Sequence, residues 1–262
     1  MPLIFLPDLR MHVSLDGPEG APALVLIHAL GLDHRIWQGM AAHLPPGLRL
    51  LALVLRGHGA SDCPPAPYAM GTLVRDVERV MDHLALRDAV VLGLSVGGMI
   101  AQGLAVKRLD LVRSLILSNT AAKIGRPEQW QARIDAVRAG GMAALHDATM
   151  ERWLGRGWRD NPVLPALSAR FLATRAEGWM GVAAAISSSD FYQTTATLRL
   201  PTLAIAGAND GSTPPDLVRE TAALIPGHRF ALMRGVGHIP MMEKPAEYAA
   251  LIGSHLAAIG HG

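Results

Sequence analysis

A chain of 262 residues, half of them hydrophobic and 18% charged, has the composition of a globular protein and excludes a disordered one. Its 24 basic and 22 acidic side chains leave a formal net charge of +2, and its arginines are scattered rather than clustered, so no nucleic-acid partner is expected. A single cysteine, Cys63, allows no internal disulfide; the start carries no signal-peptide pattern and no run of about 18 apolar residues offers a membrane span, so the cytoplasm is the expected location.

At this length the chain forms one large α/β domain or two small ones, and roughly three quarters of the unfolded surface can be buried. Residues 3–14 alternate enough to predict one edge strand, with Asp16-Gly17-Pro18 as the turn after it. Ala23-Leu24-Val25-Leu26-Ile27 is an unbroken apolar run, the pattern of a strand covered on both faces, and it ends in His28-Ala29-Leu30-Gly31. A second such run over 48–55 ends in Arg56-Gly57-His58-Gly59-Ala60-Ser61. Leu73, Val77, Val80, Met81 and Leu84 share one helical face, predicting a helix over 72–84 with Thr72 as its N-cap. Residues 89–94 read as a strand, 98–107 as a helix and 114–117 as a short buried strand.

From about 121 to 197 the strand-like runs stop. Helical patterns over 127–139, 142–153, 161–175 and 178–186 replace them, and four of the five tryptophans lie here. Strands return over 202–206 and 230–233, with a helix from about Pro215 between them and a last helix over 245–258. The expected architecture is α/β: a mostly parallel central sheet with helices on both faces, built from 1–120 and 198–262, and a helical cap inserted over 121–197.

Within this order, Gly93-Leu94-Ser95-Val96-Gly97 stands between a strand and a helix. The pattern reads as a tight turn that lifts the Ser95 hydroxyl above the sheet edge and aims the first helical N–H groups at whatever Ser95 attacks. A serine hydroxyl needs a base, and the base needs an orienting carboxylate. Asp210 follows the next-to-last strand, and His238 follows the last one, 28 residues further on. The catalytic candidates are therefore Ser95, Asp210 and His238, in the chain order of α/β-hydrolase triads. Two backbone N–H groups are expected to form an oxyanion hole, those of Val96 and Leu30. No metal site is read, because the chain lacks His-Glu-x-x-His and paired cysteines; His58 is expected to brace its own loop. No dinucleotide fingerprint follows the first strand, and no cofactor is expected.

These residues resemble the α/β-hydrolase superfamily over the whole chain and, within it, the 3-oxoadipate enol-lactonase family, cofactor-free hydrolases of aromatic catabolism in the β-ketoadipate pathway. The similar stretches begin with Gly93-Leu94-Ser95-Val96-Gly97-Gly98-Met99-Ile100-Ala101 and Leu117-Ser118-Asn119-Thr120-Ala121-Ala122-Lys123. They continue with Gly211-Ser212-Thr213-Pro214-Pro215-Asp216 and Gly235-Val236-Gly237-His238-Ile239-Pro240. The resemblance implies Ser95 as nucleophile, His238 as base, Asp210 as its partner and a small lactone or ester as substrate. One departure is Val54, which stands where an aspartate usually precedes the Arg56 loop, and a looser loop is expected from it. The implied substrate carries a carboxylate, for which Arg133 and Arg152 are candidate cations, while Trp130 and Trp153 either wall the pocket or donate an indole N–H. A general carboxylesterase, a cofactor-free perhydrolase and a ligand sensor on a hydrolase scaffold remain as alternatives, and oligomeric state is not legible.

Overall fold

The computed structural model describes residues 3–262; residues 1 and 2, where the core segment was expected to begin, lie outside the described residues. Eight strands form one sheet: β1 Leu3–Leu6, β2 Leu9–Asp16, β3 Ala23–Ile27, β4 Arg49–Leu53, β5 Ala89–Leu94, β6 Val112–Ser118, β7 Thr202–Gly207 and β8 Arg229–Met233. Their order is β1-β2-β4-β3-β5-β6-β7-β8. Only β1 and β2 run antiparallel to their neighbours; every pairing from β4 onward is parallel. Every residue of β3, β5 and β7 is buried, which is why these strands read as continuous apolar runs rather than alternations.

Eight helices of nine residues or more accompany the sheet among the described residues: α1 Met70–His83, α2 Val96–Lys107, α3 Pro127–Gly140, α4 His146–Leu154, α5 Leu164–Leu172, α6 Ala176–Ser187, α7 Pro215–Ala223 and α8 Pro245–Ala258. None is long and apolar enough to cross a membrane. Helices α3 to α6 all lie between β6 and β7, and the described residues of that interval hold no strand. We take this helical segment as the cap.

Four expectations shift. The single strand over 3–14 is a hairpin, with Leu6 paired to Leu9 across a turn at Pro7-Asp8, where proline has no N–H to give a ladder. Helix α1 starts two residues before Thr72, after an extended Ala69, and no side chain caps it. The expected helix over 142–153 divides into a 3-10 turn, Met142–Leu145, and α4. The one over 161–175 shortens to α5, with Pro165 in its first turn.

The loop after β4 is not loosened by Val54. That residue is fully buried, and the Ser61 hydroxyl donates to its carbonyl at 2.6 Å. The loop is held instead by Arg56, whose buried guanidinium makes a two-point pair with Asp76 of α1, Nε to Oδ2 at 2.6 Å and Nη2 to Oδ1 at 2.7 Å. Its other side is gripped by the cap. Arg175 donates to the carbonyls of His58, Gly59 and Ser61, and a Cβ on Gly57 would come within 2.4 Å of the Gly178 backbone.

Candidate active site

The carboxyl ends of the parallel strands deliver three loops to one place. At the end of β5, Ser95 has φ 57° and ψ −120°, a backbone state that costs a non-glycine residue about 1–3 kcal/mol. The strain persists because the turn is pinned. The Ser95 N–H donates to Ser118 O at 3.1 Å, and its carbonyl accepts from Gly98 N–H at 2.9 Å and from the Thr120 hydroxyl at 2.6 Å. The flanking glycines are sterically required: a Cβ on Gly93 would lie 2.2 Å from Gly97 O, and one on Gly97 would lie 2.2 Å from Ile27 O of β3. Helix α2 therefore starts at Val96, two residues earlier than the sequence pattern suggested.

Asp210 and His238 meet as expected from their positions after β7 and β8. His238 Nδ1 lies 2.7 Å from Asp210 Oδ2, and both side chains are buried. Four further hydrogen bonds reach the same carboxylate: Asn119 Nδ2 at 2.9 Å and Thr213 Oγ1 at 2.7 Å to Oδ2, and the N–H groups of Ser212 at 2.7 Å and Thr213 at 3.2 Å to Oδ1. Burial alone would lift this carboxyl; the imidazole's charge and these donors outweigh it and hold the pKa below the ordinary aspartate value. Asp210 is therefore an anion that accepts from Nδ1–H and leaves Nε2 as the basic nitrogen.

Ser95 and His238 line one cavity, but no hydrogen bond joins them among the described residues. The cavity holds about 490 Å³ counting its mouth. Leu30, Ile124, Phe171, Trp179 and Ile186 supply its apolar wall, and Arg133, Arg152, Thr149 and Ser212 its polar one. The N–H groups of Leu30 and Val96 donate to no protein atom among the described residues, the condition an oxyanion hole requires.

The cap completes the site. The last carbonyls of α4 accept from the Asp210 and His238 loops, Arg152 O from Gly211 N–H at 2.8 Å and Trp153 O from His238 N–H at 2.6 Å. The Trp153 ring lies nearly parallel to the His238 imidazole, 19° apart with centroids at 5.7 Å. Arg133 lies over the Trp130 ring at 4.7 Å, and Arg152 Nη2 donates to Thr149 Oγ1 at 3.1 Å. Neither guanidinium has a carboxylate within 4.0 Å among the described residues. Burial lowers the pKa of both, that of Arg152 to about 10 with help from the neighbouring Arg133 charge. Of the two roles expected of Trp130, the structure leaves the first: its indole N–H is already used, donating to Ile124 O at 2.6 Å, so Trp130 walls the pocket and offers its occupant no hydrogen bond.

Sequence reasoning missed Asn119 and Thr213 as partners of Asp210. Asn119 sits at φ 43° just past β6, and its amide spans Asp210 and the Gly237 carbonyl, both at 2.9 Å. A polar residue at the carboxyl end of a buried strand was the available signal.

Two further histidines, His28 and His58, are fully buried, and burial carries their pKa values down to about 4 and about 3. In the unfolded chain both titrate near 6.5. Their contribution to stability is thus complete above about pH 6.5 and is lost as pH falls toward 4, at about 3 kcal/mol per pH unit for the pair. Asp76 and Glu243, whose pKa values burial raises, return part of this on acidification. Urea unfolding at pH 7 and pH 5 should show the midpoint falling; an unchanged midpoint would contradict the neutral assignment of the two imidazoles.

Residues 22–245 match the alpha/beta hydrolase fold family, and the chain belongs to that family. It is a hydrolase of the α/β-hydrolase class and, more particularly, resembles enol-lactonases. It is 33% identical over 208 residues to 3-oxoadipate enol-lactonase 2 of Acinetobacter baylyi, covering 79% of this chain and 78% of that one. It is 31% identical over 251 residues to 3-oxoadipate enol-lactonase 1 of the same organism, covering 95% and 94%. Among solved structures, the enol-lactonase from Burkholderia xenovorans LB400 superposes with a TM-score of 0.93 at 33% identity, covering 98% of this chain and all of that one.

Proposed function

We propose that the protein hydrolyses a small carboxylate-bearing lactone, 3-oxoadipate enol-lactone to 3-oxoadipate, through an acyl-enzyme on Ser95. The observation that carries this reading is the pair of guanidiniums, Arg133 and Arg152, that line the Ser95 cavity without a carboxylate partner. A half-buried cation left without a counter-ion favours an anionic occupant, and a guanidinium suits a carboxylate best. The likeness to two enol-lactonases supports the same substrate class.

In this mechanism Ser95 Oγ bonds to the lactone carbonyl carbon while His238 Nε2 takes its proton. The N–H groups of Leu30 and Val96 receive the oxyanion. As the carbonyl reforms, the ring C–O bond breaks and the imidazolium returns the proton to the departing enol oxygen. Water then attacks the acyl carbon, losing its proton to His238, and Ser95 leaves with that proton restored. The product is a single molecule, a free acid that carries the enol, and the enol tautomerises to the ketone. Asp210 stays ionised throughout, fixing the imidazole tautomer and stabilising its charged form.

Hydrolysis of purified enol-lactone, followed by loss of its ultraviolet absorbance, tests the substrate. Arg133→Met and Arg152→Met should each lower kcat/KM on the lactone about 10- to 100-fold, the worth of a charged hydrogen bond, and leave a neutral aryl ester within about threefold. Equal losses on both substrates would remove the arginines as carboxylate binders and favour a general carboxylesterase.

A further inference from the structure

The oxyanion loop, residues 28–31, and the loop after β4 are joined by two imidazoles that face in opposite directions. His28, on the first loop, accepts the Leu55 N–H of the second at its Nε2, at 3.0 Å. His58, on the second loop, accepts the Gly31 N–H of the first at its Nε2, also at 3.0 Å. Each ring spends its Nδ1–H on a carbonyl of its own loop, His28 on Ala29 O at 2.8 Å and His58 on Arg56 O at 3.1 Å. The rings lie 5.4 Å apart, and neither is exposed to solvent. His58 thus braces the opposite loop as well as its own.

We propose that this reciprocal clasp positions the oxyanion hole: the His28 Nδ1–H bond to Ala29 O holds the peptide plane that carries the Leu30 N–H, and His58 is the positioning residue that holds the plane after it, so that Leu30 is fixed from both sides. Leu30 and Gly31 are adjacent, so the peptide plane that carries the Gly31 N–H also contains the Leu30 carbonyl, and pinning it restricts Leu30 itself. The other face of the loop is held too, because the Thr174 hydroxyl donates to Gly31 O at 3.0 Å. Left without His58, the Gly31 N–H would be a buried donor with no acceptor. It would regain one only by rotating the peptide, which takes Leu30 with it. Only the Nδ1–H tautomer serves, since Nε2 must accept. The support behind His58 is rigid: its Nδ1 partner belongs to Arg56, whose guanidinium is locked to Asp76. Preorganised donors of this kind act on the transition state, so the clasp belongs to kcat rather than to substrate binding.

The inference rests on reading Leu30 as an oxyanion donor, and it does not depend on which ester or lactone is the substrate. The test compares His58→Leu, which removes the acceptor, with His58→Gln, whose Oε1 can take its place. The readouts are kcat and KM on a neutral aryl ester and the rate at which a fluorophosphonate labels Ser95. His58→Leu is expected to lower kcat about 10²-fold with KM within threefold, to slow labelling in parallel, and to regain at least tenfold when Gln stands there instead. Should His58→Leu fail to fold, a folded His58→Gln retaining kcat within tenfold of the unmodified enzyme supports the clasp. A folded Gln variant that loses 10²-fold or more overturns it. So does His58→Leu with kcat and labelling unchanged, or with losses that only track the folded fraction. An enzyme that labels at Ser95 yet turns over no lactone would sink the substrate assignment and leave the labelling comparison intact.

Discussion

Ser95→Ala is expected to lower kcat on the order of 10⁶-fold, the loss seen when a nucleophile is removed from a triad, while leaving the fold in place. Both halves of this expectation follow from the site. The hydroxyl makes no hydrogen bond among the described residues, so its removal orphans nothing. The turn is held by backbone groups and by Thr120, all of which survive the change. The strained φ of 57° persists for alanine, so the melting temperature should stay within a few degrees. Turnover of the lactone or of an aryl ester measures the first half, and loss of fluorophosphonate labelling confirms that any remaining rate is not from Ser95. A variant with appreciable turnover would end the acyl-enzyme account.

Asp210→Asn should cost about 10⁴ in kcat, less than loss of the nucleophile and for a different reason. Its carboxylate accepts five hydrogen bonds, including the one from His238 Nδ1. With asparagine, the two backbone N–H groups of Ser212 and Thr213 still find the amide oxygen. The amide nitrogen then faces His238 Nδ1 and the Asn119 amide, both of which were donors to the carboxylate. One of its two N–H groups can go to the Thr213 hydroxyl, which also met that oxygen, but the other faces Nδ1, and donating to it moves the imidazole proton to Nε2 and leaves Ser95 without a base. The Asn119 amide loses its acceptor at the same time, so some stability should go with the rate. Steady-state kinetics from pH 6 to 10 would distinguish this from simple unfolding: a tautomer defect lowers kcat in a fully folded enzyme. An Asp210→Asn enzyme within tenfold of the unmodified one would show that His238 is oriented by something else.

Much of this was legible along the chain because it depends on near neighbours. Gly93 is required by Gly97 O, four residues on, and β3, β5 and β7 announce their burial in runs dominated by apolar side chains. Loops after strands were the right places to look, since a parallel sheet gathers its carboxyl ends on one side. What escaped the sequence depends on distant partners. Asn119 reaches the Gly237 carbonyl across 118 positions, and Arg56 finds Asp76 across 20. Nothing local to Arg133 or Arg152 says that, among the described residues, no carboxylate comes within reach of them.

Short-range patterning by itself therefore determined the α/β-hydrolase fold, the elbow at Ser95 and the candidacy of Asp210 and His238. Periodicity and backbone sterics act over a few residues and survive in any one-dimensional reading. Only the folded molecule decided which hydrogen-bonding groups were already spent and which were left over. That outcome is a competition among donors and acceptors brought together from the whole chain. Among the described residues it left the Nε2 of His238 without a donor, the N–H groups of Leu30 and Val96 without an acceptor, and the guanidiniums of Arg133 and Arg152 on the cavity wall without a counter-charge.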